Sequence, residues 1–120
     1  IPKFIHALNH NRPIYLEGDG KQARDFTFVD DTIFALYKII KSKKNLRYIN
    51  IGSGKSVSIN AIIKKLKKYY PDMRVIRNKQ RINEIKNFIS DTSLLQKNFK
   101  IKNKISFEEG LYKTIKNFEF

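Results

Sequence analysis

Gly18-Asp19-Gly20-Lys21-Gln22-Ala23-Arg24-Asp25-Phe26 is the stretch on which the reading of this chain turns. A Gly-Asp-Gly turn reaches backbone angles closed to other residues, so it can lay the following arginine closely against a ligand. The planar fork of an arginine suits a phosphate or carboxylate, to which it donates two parallel charged hydrogen bonds. The simpler account is a surface turn whose Arg24 pairs with Asp25 or Asp30, and spacing alone favours it. Upstream, Ile14-Tyr15-Leu16 reads as a short strand. Downstream, Phe26 to Val29 reads as a second one, followed by Asp30 or Asp31 capping a helix from Thr32 to Lys41.

That helix carries Ile33, Phe34, Leu36, Tyr37, Ile39 and Ile40 around most of its circumference, which predicts burial on nearly every side. Arg47 to Ile51 reads as a strand and Gly52-Ser53-Gly54 as a turn. Ser58 caps a helix with Ile59, Ile62, Ile63, Leu66 and Tyr69 on one face, stopped by Pro71. Met73 to Ile76 reads as a strand, and 77–89 as a loop with a short extended piece. Asp91 caps a short helix to Asn98. Ser106 and Glu109 form a capping box for the last helix, whose stripe is Phe107, Leu111, Ile115 and Phe118. At the other end, residues 3 to 10 form a short helix broken by Asn11-Arg12-Pro13. Short strands alternating with helices predict an α/β or α+β fold.

The 120 residues suffice for one domain with a real core, and 41% hydrophobic against 30% charged is a globular balance. No apolar run approaches the ~20 residues of a membrane span. The absence of cysteine excludes disulfides and thiolate metal sites and suits a reducing compartment. The opening Ile1-Pro2-Lys3-Phe4 has neither an initiating methionine nor signal-peptide character, so the chain is expected to be part of something longer. The net charge of +14 invites a polyanion-binding reading. Against it, 19 of the 25 basic residues are lysines, scattered along a chain equally rich in Ile and Asn, without the arginine and aromatic motifs of specific nucleic-acid readers.

Few combinations carry catalytic chemistry. His6 and His10 share a helix face at i and i+4, but no third ligand sits nearby, and a solvated face is the better account. Gly52-Ser53-Gly54-Lys55-Ser56 looks like a phosphate loop, yet a Walker A loop needs glycine where Ile49 stands. No serine occupies a nucleophile elbow, and G-x-G-x-x-G is absent. Arg81, three residues before Glu84, could bring an arginine to a phosphate and a carboxylate to a ribose diol. Alone, the pair is worth well under ~1 kcal/mol as a surface ion pair.

The order of the pieces is more telling than any one of them. The run Gly18 to Asp31 is followed by a helix, Tyr48-Ile49-Asn50-Ile51-Gly52-Ser53-Gly54, Ser56-Val57-Ser58, Arg81 to Asp91, and Ser106-Phe107-Glu108-Glu109-Gly110-Leu111. From Ile1 to Phe118 this resembles the carboxyl-terminal third of the NAD-dependent epimerase/dehydratase family, the extended short-chain dehydrogenases of the UDP-glucose 4-epimerase type. The resemblance implies an α/β, Rossmann-type fold in which these residues form the substrate-binding portion. It implies that Arg24 and Arg81 hold the pyrophosphate of a nucleotide-diphosphate sugar. Glu84, in place of the family's aspartate, would reach the ribose, and Phe26, Val57 and Phe88 would line the nucleotide pocket. Glu17 departs from the aromatic the family often places before the turn, so uridine is not implied.

The resemblance further implies a cytoplasmic, homodimeric parent that oxidises the sugar at C4 through NAD, then epimerises, dehydrates or reduces it. The resemblance places the NAD fingerprint and the catalytic Tyr-x-x-x-Lys group in that family's amino-terminal half, outside the portion matched here. No catalytic or metal-ligating residue is therefore expected here. The rival expectations are a polyanion-binding module and a non-catalytic remnant of a truncated gene.

Overall fold

Alternation within β1 (Ile14–Glu17) orients the molecule. Side chains along a strand point to opposite faces in turn. Ile14 and Leu16 are 1% and 2% exposed, and Tyr15 and Glu17 emerge on the other face. The computed structural model describes residues 1–118. Ahead of β1 runs α1 (Pro2–Asn9), with proline in its first turn, where its missing N–H costs nothing. After β1 come β2 (Ala23–Asp25), α2 (Val29–Lys41), β3 (Ser56–Ser58), α3 (Ile59–Leu66), β4 (Val75–Asn78), α4 (Ser93–Phe99) and α5 (Phe107–Asn117).

Two small sheets result. β1 pairs in parallel with β4, Ile14 opposite Val75 and Glu17 opposite Asn78. β2 pairs antiparallel with β3, Arg24 opposite Val57. The other edge of β2 takes a parallel bridge from Ala23 to Asn87. Ala23 N–H donates to Lys86 at 2.8 Å and Phe88 N–H to Ala23 at 3.1 Å.

The principal core joins Ile5 and Leu8 of α1, Ile14 and Leu16 of β1, Ile62, Ile63 and Leu66 of α3, and Leu111 and Ile115 of α5. Sequence and structure agree here, because each helix lays a stripe of apolar residues at helical spacing onto one surface. Ser58 caps α3 by accepting from Ala61 N–H at 3.2 Å. Ser106 caps α5 by accepting from Glu109 N–H at 3.1 Å, while the Glu109 carboxylate turns to Lys113 at 2.9 Å. Asp91 accepts from Ser93 N–H at 2.9 Å at the start of α4. The bonds to Ser93 hold its carboxyl below the ordinary range.

Four expectations are corrected. Residues 26–28 are not a strand. The strand lies earlier, at Ala23–Asp25, because its backbone finds partners on both edges. Neither Asp30 nor Asp31 caps α2, whose N-cap is Phe28. Asp31, 5% exposed, instead accepts Lys104 N–H at 3.0 Å and Ile105 N–H at 3.1 Å, tying the first turn of α2 to the segment entering α5. Residues 47–51 make no ladder, although Tyr48 and Asn50 face out while Ile49 and Ile51 are half-buried. The period of two is there, but no described strand lies beside it. Finally, α2 is not buried all round. Of its side chains only Asp31 and Ala35 are buried, and Ile33, Leu36, Tyr37 and Ile40 are exposed. Ala35, Leu95 and Ile101 form a second, smaller core.

Candidate functional site

The Gly-Asp-Gly turn is fixed by its neighbours. Gly18 and Gly20 adopt φ of 72° and 77°, which favours glycine. A Cβ on Gly20 would lie 2.2 Å from Asn60 Oδ1. Asn60 Nδ2 and Arg77 Nη1 both donate to the Asp19 carbonyl at 2.9 Å. From this anchored turn the chain enters β2, where Arg24 and Asp25 point to opposite faces.

Asp25 organises its own side of the strand. Its carboxylate accepts Ser53 N–H at 2.9 Å, the Ser53 hydroxyl, Gly54 N–H at 2.9 Å and Ser90 N–H at 3.2 Å. Burial alone would raise its pKa, and the bonds from Ser53, Gly54 and Ser90 outweigh that and hold it below the usual value. The Gly52-Ser53-Gly54 turn is thereby closed by protein. A Cβ on Gly52 would lie 2.4 Å from Ser90 Cβ and 2.8 Å from Asp25 Oδ2. That packing leaves no room for a side chain at Gly52.

Arg24 organises the other face. Its Nη1 donates to the carbonyls of Ala23 at 2.9 Å and Ile85 at 2.6 Å, and its Nη2 lies 3.6 Å from Glu84 Oε1. The Ala23–Asn87 bridge is what carries Glu84 to this position. The Glu84 side chain is 18% exposed, and its Oε2 is buried without a hydrogen-bond partner. Opposite, Arg81 Nη2 donates to Glu17 Oε1 at 2.7 Å and Arg81 Nε to Glu17 Oε2. The Glu17 contact raises the arginine's already high pKa further.

Arg24, Arg81, Glu84 and Glu17 thus line one open hollow of about 270 Å³, with Tyr15 and Gln22. Phe4, Leu16 and Ile59 complete its walls. Phe26 and Val57 line a different hollow of about 650 Å³, where Phe26 packs 5.9 Å from Phe107. Phe88 is 50% exposed and lines neither. The rings of His6 and His10 lie 4.4 Å apart. Among the described residues no group of three His, Cys, Asp or Glu could hold a metal ion. Sequence reasoning missed the Glu17–Arg81 pair, since its members lie 64 residues apart. The one signal was the oddity of an acid at position 17.

The strands, helices and two-faced β2 have the arrangement of part of a Rossmann-type extended short-chain dehydrogenase. UDP-glucose 4-epimerase from Thermotoga maritima, solved with UDP-glucose, superimposes on 97% of this chain with a TM-score of 0.88 at 26% identity. The chain belongs to the NAD-dependent epimerase/dehydratase family, whose family model matches residues 1–52. UDP-glucuronate 4-epimerase of Thermodesulfobacterium geofontis is 36% identical over 126 residues, 96% of this chain and 36% of that protein. UDP-glucuronic acid 4-epimerase from Bacillus cereus, solved with UDP-glucuronic acid and NAD, matches 95% of this chain and 38% of its own, at 31% identity and a TM-score of 0.83. The chain spans little more than a third of the length of these relatives.

Proposed function

We propose that this chain is the carboxyl-terminal, substrate-binding portion of a nucleotide-sugar epimerase or dehydratase. The observation that carries the reading is the convergence of Arg24 and Arg81, from β2 and the loop after β4, on one hollow beside Glu84. Two guanidiniums set around one hollow suit a pyrophosphate, whose charge is spread over several oxygens. The unpartnered Oε2 of Glu84 is an acceptor ready for a ribose hydroxyl. Phe26 and Val57 line a separate hollow and Phe88 lines neither, so the nucleotide-lining roles expected of these three are not carried by the arginine hollow. NAD, the catalytic side chains and the redox chemistry belong to the rest of the full-length protein. That remainder covers the outward apolar residues of α2 and packs against the neighbouring extended segment at 47–51. The absence of cysteine suits a reducing compartment, in keeping with a cytoplasmic parent protein.

Arg24→Ala and Arg81→Ala each weaken binding of UDP-glucose or UDP-glucuronic acid to the full-length protein, read by titration calorimetry. Arg24, 31% exposed, loses roughly 1.5–3 kcal/mol. Arg81, 73% exposed, loses about 1 kcal/mol. Unchanged affinity in both variants overturns the reading.

One observation favours a second reading. Lys38, Lys100, Lys102 and Lys104 line one hollow with Phe34 and Phe99, and no carboxylate lines it. A polyanion-binding module predicts DNA binding that persists at physiological salt, and a salt titration separates the two.

A further inference from the structure

The two arginines of the hollow are held in different ways. Arg24 is fixed to the wall, its Nη1 shared between two backbone carbonyls, and its nearest carboxylate stands off at 3.6 Å. Arg81 is held by a side chain alone: Nη2 and Nε meet the two oxygens of Glu17 in a fork-to-fork pair. A carboxylate and a phosphate offer an arginine fork the same pair of acceptors. Glu17 therefore fills the place on Arg81 that the anion of a ligand requires.

The pair is built to open. The Glu17 backbone is secured by its register with Asn78 and by Gln22 Nε2, which donates to its carbonyl at 2.7 Å. Its side chain is 33% exposed and that of Arg81 73%, so both can turn without disturbing β1. An exposed ion pair of this kind is weak enough for a diphosphate to displace.

We infer that Glu17 is an affinity- and specificity-setting residue of this site: an internal carboxylate that occupies Arg81 until a ligand's phosphate takes its place. A singly charged carboxylate ligand gains nothing by the exchange. A diphosphate, with more charge and Arg24 beside it, does. The inference rests on the proposed function, since it takes the ligand of Arg81 to be a diphosphate.

The test is a double-mutant cycle in the full-length protein, with UDP, inorganic pyrophosphate and uridine titrated separately into wild type, Glu17→Gln, Arg81→Ala and the double variant. Glu17→Gln is expected to tighten UDP and pyrophosphate roughly two- to fivefold, the range an exposed ion pair supplies. Uridine binding stays unchanged, and the gain vanishes in the Arg81→Ala background. Weaker UDP binding in Glu17→Gln overturns the inference and makes Glu17 a residue that positions Arg81. Unchanged binding, or a gain that survives without Arg81, overturns it too. If Arg24→Ala and Arg81→Ala both leave UDP affinity intact, the proposed function itself falls. If they weaken it and only the Glu17 arm fails, the inference falls alone.

Discussion

The two apolar clusters of this molecule are built to different standards. The first is closed: α1, β1, α3 and α5 contribute nine buried side chains, with Ile5, Ile62 and Leu66 at 0% exposure. The second has three buried residues, Ala35, Leu95 and Ile101, beneath a helix whose Ile40 is 80% exposed. Both are equally apolar in sequence. What separates them is that the first has partners on every side within the described residues, whereas α2 has partners on one. Apolar periodicity says that a helix will be covered, and it does not say by which part of the protein.

The sharpest way to break that contrast is to cut into the closed cluster. Ile62→Ala is expected to destabilise the chain by about 2–5 kcal/mol in urea unfolding, since the lost methylenes leave a cavity among α1, β1 and α5. A cost below ~1 kcal/mol would mean that the first cluster is no better packed than the second.

The next effect lies at the strand between the clusters. Asp25→Asn is expected to cost about 2 kcal/mol near neutral pH, because charge-assisted bonds to Ser53, Gly54 and Ser90 become ordinary ones or are lost. The pH dependence follows from the depressed pKa. Its contribution is fully present above the unfolded carboxyl value of about 3.9 and is lost as pH falls through the lower folded value. Wild type should therefore lose more stability than Asp25→Asn when urea midpoints are compared at pH 6 and pH 3. Parallel losses would show that this carboxylate is not the acid-sensitive link.

How much of this could be read from the chain differs by residue. The faces of α3 and α5, their serine caps and the glycine turn depend on neighbours within a few positions, and all were legible. β2 was misplaced because Ala23-Arg24-Asp25 has no apolar alternation, and its existence depends on backbone partners at 56–58 and 86–88. Asp31 looked like a cap because aspartate at a helix start usually is one, while its actual donors lie 73 and 74 residues away. Of the site, Arg24, Arg81 and Glu84 were singled out by family resemblance, and β2 and the loop after β4 bring the three together. The pairing of Glu17 with Arg81 needed the β1–β4 register, which no local pattern encodes.

A smaller effect tests the tie between clusters. Asp31→Asn keeps the side chain's size but weakens acceptance from Lys104 and Ile105, and is expected to cost about 1–2 kcal/mol. Hydrogen exchange should quicken at those two amides more than in α3. Equal change across both would mean that the clusters unfold as one unit and the contrast is only one of exposure.

The smallest expected effect is the most informative about what covers α2. Ile40 touches solvent over most of its surface, so Ile40→Lys should change the stability of the 120-residue chain by no more than ~0.5 kcal/mol. In the full-length protein the same lysine would be driven into whatever packs on α2, and there its cost should rise to at least ~2 kcal/mol. Tyr48, 74% exposed on the neighbouring extended segment, supplies the control. If α2 and 47–51 share one cover, Tyr48→Lys should follow Ile40→Lys in being silent in the short chain and costly in the long one. Silence in both proteins would leave the helix face open to solvent in its native setting, and the second cluster would then be finished as it stands.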